Sequence, residues 1–129
     1  MRKLTMMIVL LTLVLSLSAC AGGGADAPEK ATEAYLNALV AADADRMSTL
    51  SCADWESNAM LELDSFQAVE ASLKDMTCSK TGEDGETALV TCQGQIVASY
   101  NGEDTAIDLN SRVYEMTQAG GEWLVCGYR

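Results

Sequence analysis

The stretch Glu86–Tyr100 reads ETALVTCQGQIVASY, and Asn101-Gly102 follows it directly. Ala88, Val90, Cys92, Gly94, Ile96, Ala98 and Tyr100 fall on every second position, with mostly polar residues between them. That period of two is the mark of a strand with one buried face. Asn-Gly is a strong hairpin signal, because both central residues of a type I′ turn need positive φ. With Asn101 and Gly102 as the turn, Tyr100 faces Glu103 and Ile96 faces Ile107. Continued unbroken, the same register sets Cys92 against Ser111 and Val90 against Val113. The apolar faces of two strands then coincide, which a slip of one residue would undo.

Working outward, Gly120-Gly121 offers a second turn into a last strand, Glu122–Tyr128 (EWLVCGY). On the other side, TGEDGE (Thr81–Glu86) joins the quoted strand to an earlier one ending near Lys80. That earlier strand is placed from about Gln67, although Val69 and Leu73 also suit a continuing helix. An irregularity near Asp75 lets Met76 and Cys78 face inward. A loop over Glu83–Thr87 sets Cys78 opposite Cys92.

The region before the strands reads as helical. Asp26-Ala27-Pro28-Glu29 has the form of a capping box, with proline tolerated in the first turn. Ala31, Tyr35, Ala38, Leu39 and Ala42 follow at helical spacing. Asp43 and Asp45 bracket a break before a short helix over Arg46–Ser51. Asp54 is placed as the cap of a third helix turning Trp55, Ala59, Met60 and Leu63 inward. Helices followed by an antiparallel meander make an α+β layout.

The amino-terminal end has a different character. Arg2 and Lys3 precede an almost wholly apolar run, Leu4–Leu17, and the small residues Ser18 and Ala19. This is the pattern of an export signal, and the run is short for a membrane span, which needs roughly 17–25 apolar residues. Leu17-Ser18-Ala19-Cys20 resembles the lipobox of bacterial lipoproteins. The resemblance implies cleavage after Ala19, a diacylglycerol on the Cys20 thiol and anchorage of the chain to the outer face of a bacterial membrane. Two or more acyl chains hold stably where one holds only marginally. Gly22-Gly23-Gly24 reads as a flexible tether. The expected organisation is signal peptide 1–19, lipidated cysteine and tether 20–27, and one folded domain 28–129.

Losing Arg2 and Lys3 with the signal leaves six basic against 19 acidic residues, a formal charge of −13. Such a surface repels phosphate backbones, so nucleic acid is excluded as a partner. It also keeps the domain off anionic lipid, leaving Cys20 as the membrane contact. After Cys20 four cysteines remain, none in C-x-x-C spacing, and the chain has no histidine. No metal, cofactor or histidine-based nucleophile is expected. In an exported domain four cysteines read as two disulfides, with three pairings open. The hairpin geometry favours Cys78–Cys92, which leaves Cys52–Cys126. By loop entropy the two would contribute about 3 and about 4.5 kcal/mol.

The order helix, short helix, helix, hairpins, with Asp43-Ala44-Asp45-Arg46-Met47 and a closing Gly121-Glu122-Trp123 with Val125, resembles the nuclear-transport-factor-two-like superfamily. That superfamily includes ketosteroid-isomerase-like proteins. The resemblance implies a cone-like, cystatin-like arrangement in which a curved sheet and the first helix enclose a pocket. In the isomerase branch a carboxylate base faces an oxyanion hole containing tyrosine. Tyr35 on the first helix and Glu115, inward beside Ala88 in the register above, are the residues able to play those parts. The leading expectation is nevertheless a non-catalytic domain binding a small apolar ligand or an envelope protein. A pocket enzyme using Glu115 and Tyr35 is the alternative.

Overall fold

The computed structural model describes residues 26–129. The signal segment, Cys20 and the glycine tether lie outside the described residues. The domain is α+β: helices α1 (Pro28–Val40), α2 (Ala44–Thr49) and α3 (Glu56–Phe66) precede strands β1 (Glu70–Asp84), β2 (Thr87–Tyr100), β3 (Glu103–Asp108), β4 (Val113–Ala119) and β5 (Glu122–Tyr128). A 3-10 turn, Leu109–Ser111, separates β3 from β4. The antiparallel sheet runs β1-β2-β4-β5, and β3 lies beside the distal half of β2.

The helix ends differ from expectation in detail. Ala27, not Asp26, is the N-cap of α1, and Pro28 occupies its first turn without any side-chain cap. Asp43 caps α2, its carboxylate accepting from the Arg46 amide at 3.0 Å. Asp54 does not cap α3. Instead the amides of Trp55 and Glu56 both donate to the Cys52 carbonyl, a turn that starts the helix from its own backbone. Tyr35, Leu36 and Leu39 of α1, Met47 and Leu50, and Ala59 and Leu63 of α3 are buried with Val90, Cys92, Ile96 and Val125 of the sheet.

The helix-or-strand question after Phe66 resolves with a helix to Phe66 and a strand from Glu70. An irregularity does fall at Asp75. The register shifts between Lys74 and Thr77, and Asp75 takes φ 52°. Opposite this bulge stands Gly94 with φ 96°. A Cβ on Gly94 would lie 2.5 Å from the carbonyl oxygens of both Lys74 and Asp75, so only glycine fits the approach. The β1–β2 turn is tighter than expected, with Asp84 opposite Thr87, but a second shift between Lys80 and Gly82 restores Cys78 opposite Cys92.

From Tyr100↔Glu103 to Ile96↔Ile107 the β2–β3 register is the expected one. Beyond Asp108 it is not. The 3-10 turn tucks Leu109 into the core and delivers β4 one residue out of step, pairing Val90 with Tyr114 and Ala88 with Met116. A shift of one residue exchanges the two faces of a strand. Tyr114 and Met116 therefore point into the core, and Glu115 does not.

The outer edge of β5 is covered by the chain between α2 and α3. The Val125 amide donates to the Leu50 carbonyl and the Cys52 amide to the Val125 carbonyl, each at 2.8 Å. The sulfurs of Cys52 and Cys126 lie at disulfide distance beside this bridge, with Cα atoms 4.9 Å apart. Those of Cys78 and Cys92 do the same within the first hairpin, with Cα atoms 4.0 Å apart.

Replacing Gly94 by alanine forces a side chain against two carbonyls in a conformation that L-residues avoid. A loss of roughly 2–3 kcal/mol is expected in urea unfolding. Gly102→Ala at the open hairpin tip, where nothing lies within 4 Å, should cost distinctly less.

Candidate functional site

Four elements place a polar cluster at the boundary between core and solvent. Glu62 lies on α3 three residues after Ala59 and one before Leu63, on the edge of that helix's inward stripe. Arg112 follows the 3-10 turn, Tyr35 comes from α1, and Trp55 immediately precedes α3. Arg112 forms an ion pair with Glu62 through a short Nη1–Oε1 hydrogen bond. The other Glu62 oxygen accepts from the Tyr35 hydroxyl at 3.2 Å, and the Trp55 indole N–H donates to that hydroxyl, also at 3.2 Å. The side chain of Glu62 is 10% exposed and that of Arg112 25%. Their charges are thus largely withdrawn from water and held by one another, the condition under which such a pair persists.

Aromatic rings frame the pair. The Arg112 guanidinium carbon lies 4.3 Å from the centre of the Tyr128 ring, within cation–π range. Tyr128 meets Trp55 and Tyr114 edge to face at 5.4 and 5.7 Å. Burial pushes the Tyr35 hydroxyl well above its ordinary pKa, and the Glu62 charge adds to the shift. Burial likewise pushes Tyr114 up to about 12, opposed by the Arg112 charge. For Arg112 burial works against the charged form, but Glu62 beside it raises the pKa above the ordinary value. The Tyr114 hydroxyl is buried with no hydrogen-bond partner among the described residues.

On its solvent side this cluster forms the inner wall of a cleft of about 440 Å³ between α3 and the sheet. Trp55, Phe66, Ile96 and Tyr128 supply much of its apolar lining, and Leu61 and Ile107 stand at its mouth. Asn58, Ser65, Glu62 and Arg112 interrupt that lining, so the cleft wall is mixed, polar and apolar in similar measure. Its volume falls within the ordinary range for ligand pockets, roughly 300–1,000 Å³. Both Glu62 oxygens are already engaged, so no free carboxylate base faces the cleft.

The structure does not bring Tyr35 and Glu115 together. Tyr35 is fully buried in the cluster just described. Glu115 lies between the core residues Tyr114 and Met116, and strand alternation turns it to the opposite face. There it is 36% exposed and pairs with the Arg129 Nε at 3.3 Å. The inward placement of Glu115 is therefore corrected, and its cause is the 3-10 turn. Arg112, carried towards α3 by the same turn, is the partner of Glu62. Glu62, Trp55 and Tyr128 had no functional reading from sequence. The available signal was a carboxylate on a helical stripe with Trp55, Ala59, Leu63 and Phe66. Among the described residues no group of three His, Cys, Asp or Glu side chains is placed to hold a metal ion, and no helix is long and apolar enough to cross a membrane.

No protein-family model matches this chain, and no curated protein matches it. Among solved structures it is similar to the solution structure of a SEC-C motif containing protein from Rhodopseudomonas palustris. The two align with a TM-score of 0.56 over 82% of this chain and 80% of that one, at 12% sequence identity. At that identity the likeness concerns the fold alone.

Glu62→Gln leaves the Arg112 charge without its counter-ion in a half-buried place, and a loss of about 2 kcal/mol is expected in chemical denaturation. Tyr114→Phe removes a buried hydroxyl that has no partner and should change stability at neutral pH by under about 1 kcal/mol. The folded state holds the Tyr114 proton up to about pH 12, whereas the unfolded chain releases it near 10. That contribution is full below pH 10 and fades as pH rises towards 12. In the Tyr114→Phe variant, the fall of unfolding free energy over this window should be shallower than in the parent chain.

Proposed function

We propose that this chain is an exported lipoprotein, held by Cys20 to the outer face of a bacterial membrane, whose folded domain binds a partner without catalysing a reaction. The observation that carries the reading is the pairing of all four cysteines in the described region. Thiols kept at disulfide distance are the habit of small domains in oxidising compartments. An export signal ending in Leu17-Ser18-Ala19-Cys20 is consistent with that compartment.

The binding part of the reading draws on the cleft. Its apolar mouth is open, while its only charged side chains, Glu62 and Arg112, neutralise each other. Catalysis of the isomerase type needs an unengaged base in reach of substrate. Glu62 is engaged twice, and Glu115 points elsewhere. The cone-like arrangement and the relation to the nuclear-transport-factor-two-like superfamily belong to this reading as well. They rest on the order of elements and on Gly121-Glu122-Trp123.

Cys20→Ala should abolish incorporation of labelled palmitate and leave an uncleaved precursor in the producing cell. Undiminished labelling would overturn the lipoprotein reading. Peptide mapping without reductant should recover Cys52 joined to Cys126 and Cys78 joined to Cys92. A link between Cys52 and Cys78 would overturn the pairing.

A further inference from the structure

The two cysteine pairs lie in unlike surroundings. Cys78 and Cys92 are 5% and 0% exposed and belong to the core between α1 and the sheet. The Glu33 carboxylate of α1 accepts from the Cys78 amide at 3.3 Å, which ties the helix to that point of β1. Cys52 and Cys126 are each half-buried, one on the segment before α3 and the other on the edge strand β5. Thiol–disulfide exchange depends on the access of a thiolate to one of the two sulfurs. An attacking sulfur reaches the second pair from solvent, whereas reaching the first requires α1 to lift from the sheet.

The accessible pair also stands next to the cleft. Cys52 lies three residues before Trp55, and Cys126 two before Tyr128. The Cys52 carbonyl accepts from the Trp55 and Glu56 amides and so sets the start of α3. The Trp55 ring meets Tyr128 edge to face at 5.4 Å, and its Cε3 would lie 3.6 Å from a Cβ on Gly127. Both rings line the cleft. The pair therefore fastens together the two segments that present them. Beside it, the backbone join between those segments is an isolated bridge at Val125.

We propose that Cys52–Cys126 is a redox-operated clasp: a dithiol reductant opens it while Cys78–Cys92 stays closed, and its opening loosens the Trp55–Tyr128 side of the cleft. One thiolate of the reductant attacks a sulfur of the pair. A new S–S bond forms as the old one breaks, and the displaced cysteine leaves as a thiolate and takes a proton from water. The second thiolate of the reductant then displaces the bound cysteine in the same way. Two electrons pass to the protein, which gains two thiols, and the reductant ends as a disulfide. The reduced domain stays folded, because the core and the buried pair are untouched. The clasp rests on the cysteine pairing proposed above and adds that the two links differ in use.

The test starts from the oxidised chain, with both links mapped by peptide mass spectrometry. Graded dithiothreitol at neutral pH, quenched with iodoacetamide, should label Cys52 and Cys126 at least about tenfold faster than Cys78 and Cys92. With the first pair alone reduced, hydrogen-exchange mass spectrometry should show quickened exchange over Cys52–Glu56 and Val125–Tyr128, and unchanged exchange over β1 and β2. The double variant Cys52→Ser with Cys126→Ser should show that pattern without reductant. Should it fail to fold from the start, the partly reduced parent chain carries the same reading. Equal labelling of the four cysteines, or faster labelling of Cys78 and Cys92, would overturn the inference. So would exchange quickened throughout the domain, or unchanged in both segments. A starting map without the Cys52–Cys126 link overturns the pairing itself, whereas a correct map followed by any of these results overturns the clasp alone.

Discussion

A strand can feed one core only while its alternate side chains stay on the same face, and β2 must obey that rule across fourteen residues against three partners. Along one edge it pairs with β1, and along the other with β4 and then β3. β1 breaks step twice, at the Asp75 bulge facing Gly94 and again between Lys80 and Gly82, and the 3-10 turn at Leu109–Ser111 breaks it once between β3 and β4. Val90, Cys92 and Ile96 remain buried throughout because the corrections fall on the neighbours or at a glycine. The helices then pack on a face whose composition those breaks have already decided.

That same alternation governs the polar cluster. Bringing Tyr114 inward sets its ring against Tyr35 and Tyr128, and the extended residue before β4 carries Arg112 towards α3. A lone guanidinium there would lose hydration without return. Glu62 offsets that loss, and Tyr35 and Trp55 complete the hydrogen bonding around it. The arrangement leaves little reactivity and a well-fixed wall. A wall of that kind suits recognition, because groups that do not have to be ordered on contact cost less to bind with.

Much of this was legible from residues alone. The Asn101-Gly102 turn set the β2–β3 partners, the period-two run revealed β2, and the Cys78–Cys92 opposition followed from counting along two strands. The need for a break near Asp75 was legible too, since Met76 and Cys78 could face inward only after one. What escaped was the single step between Asp108 and Val113. Leu109-Asn110-Ser111 carries no glycine or proline to mark a turn, so an unbroken strand was the natural reading. That one step misplaced Glu115 and hid Arg112. Glu62 escaped for a different reason: a carboxylate on a helical stripe discloses its partner only when a distant segment arrives beside it.

The bridge between Leu50–Cys52 and Val125 ties the earliest folded elements to the last strand. Contacts between such remote points form late, since a long loop must close first. A nascent chain emerging from the ribosome can wind α1 to α3 and zip the first hairpin, yet the backbone groups of Leu50, Cys52 and Val113 have nothing to meet until the closing residues arrive. The fold is therefore complete only once Val125–Arg129 are in place, and until then the edge of β4 that pairs with β5 stays open.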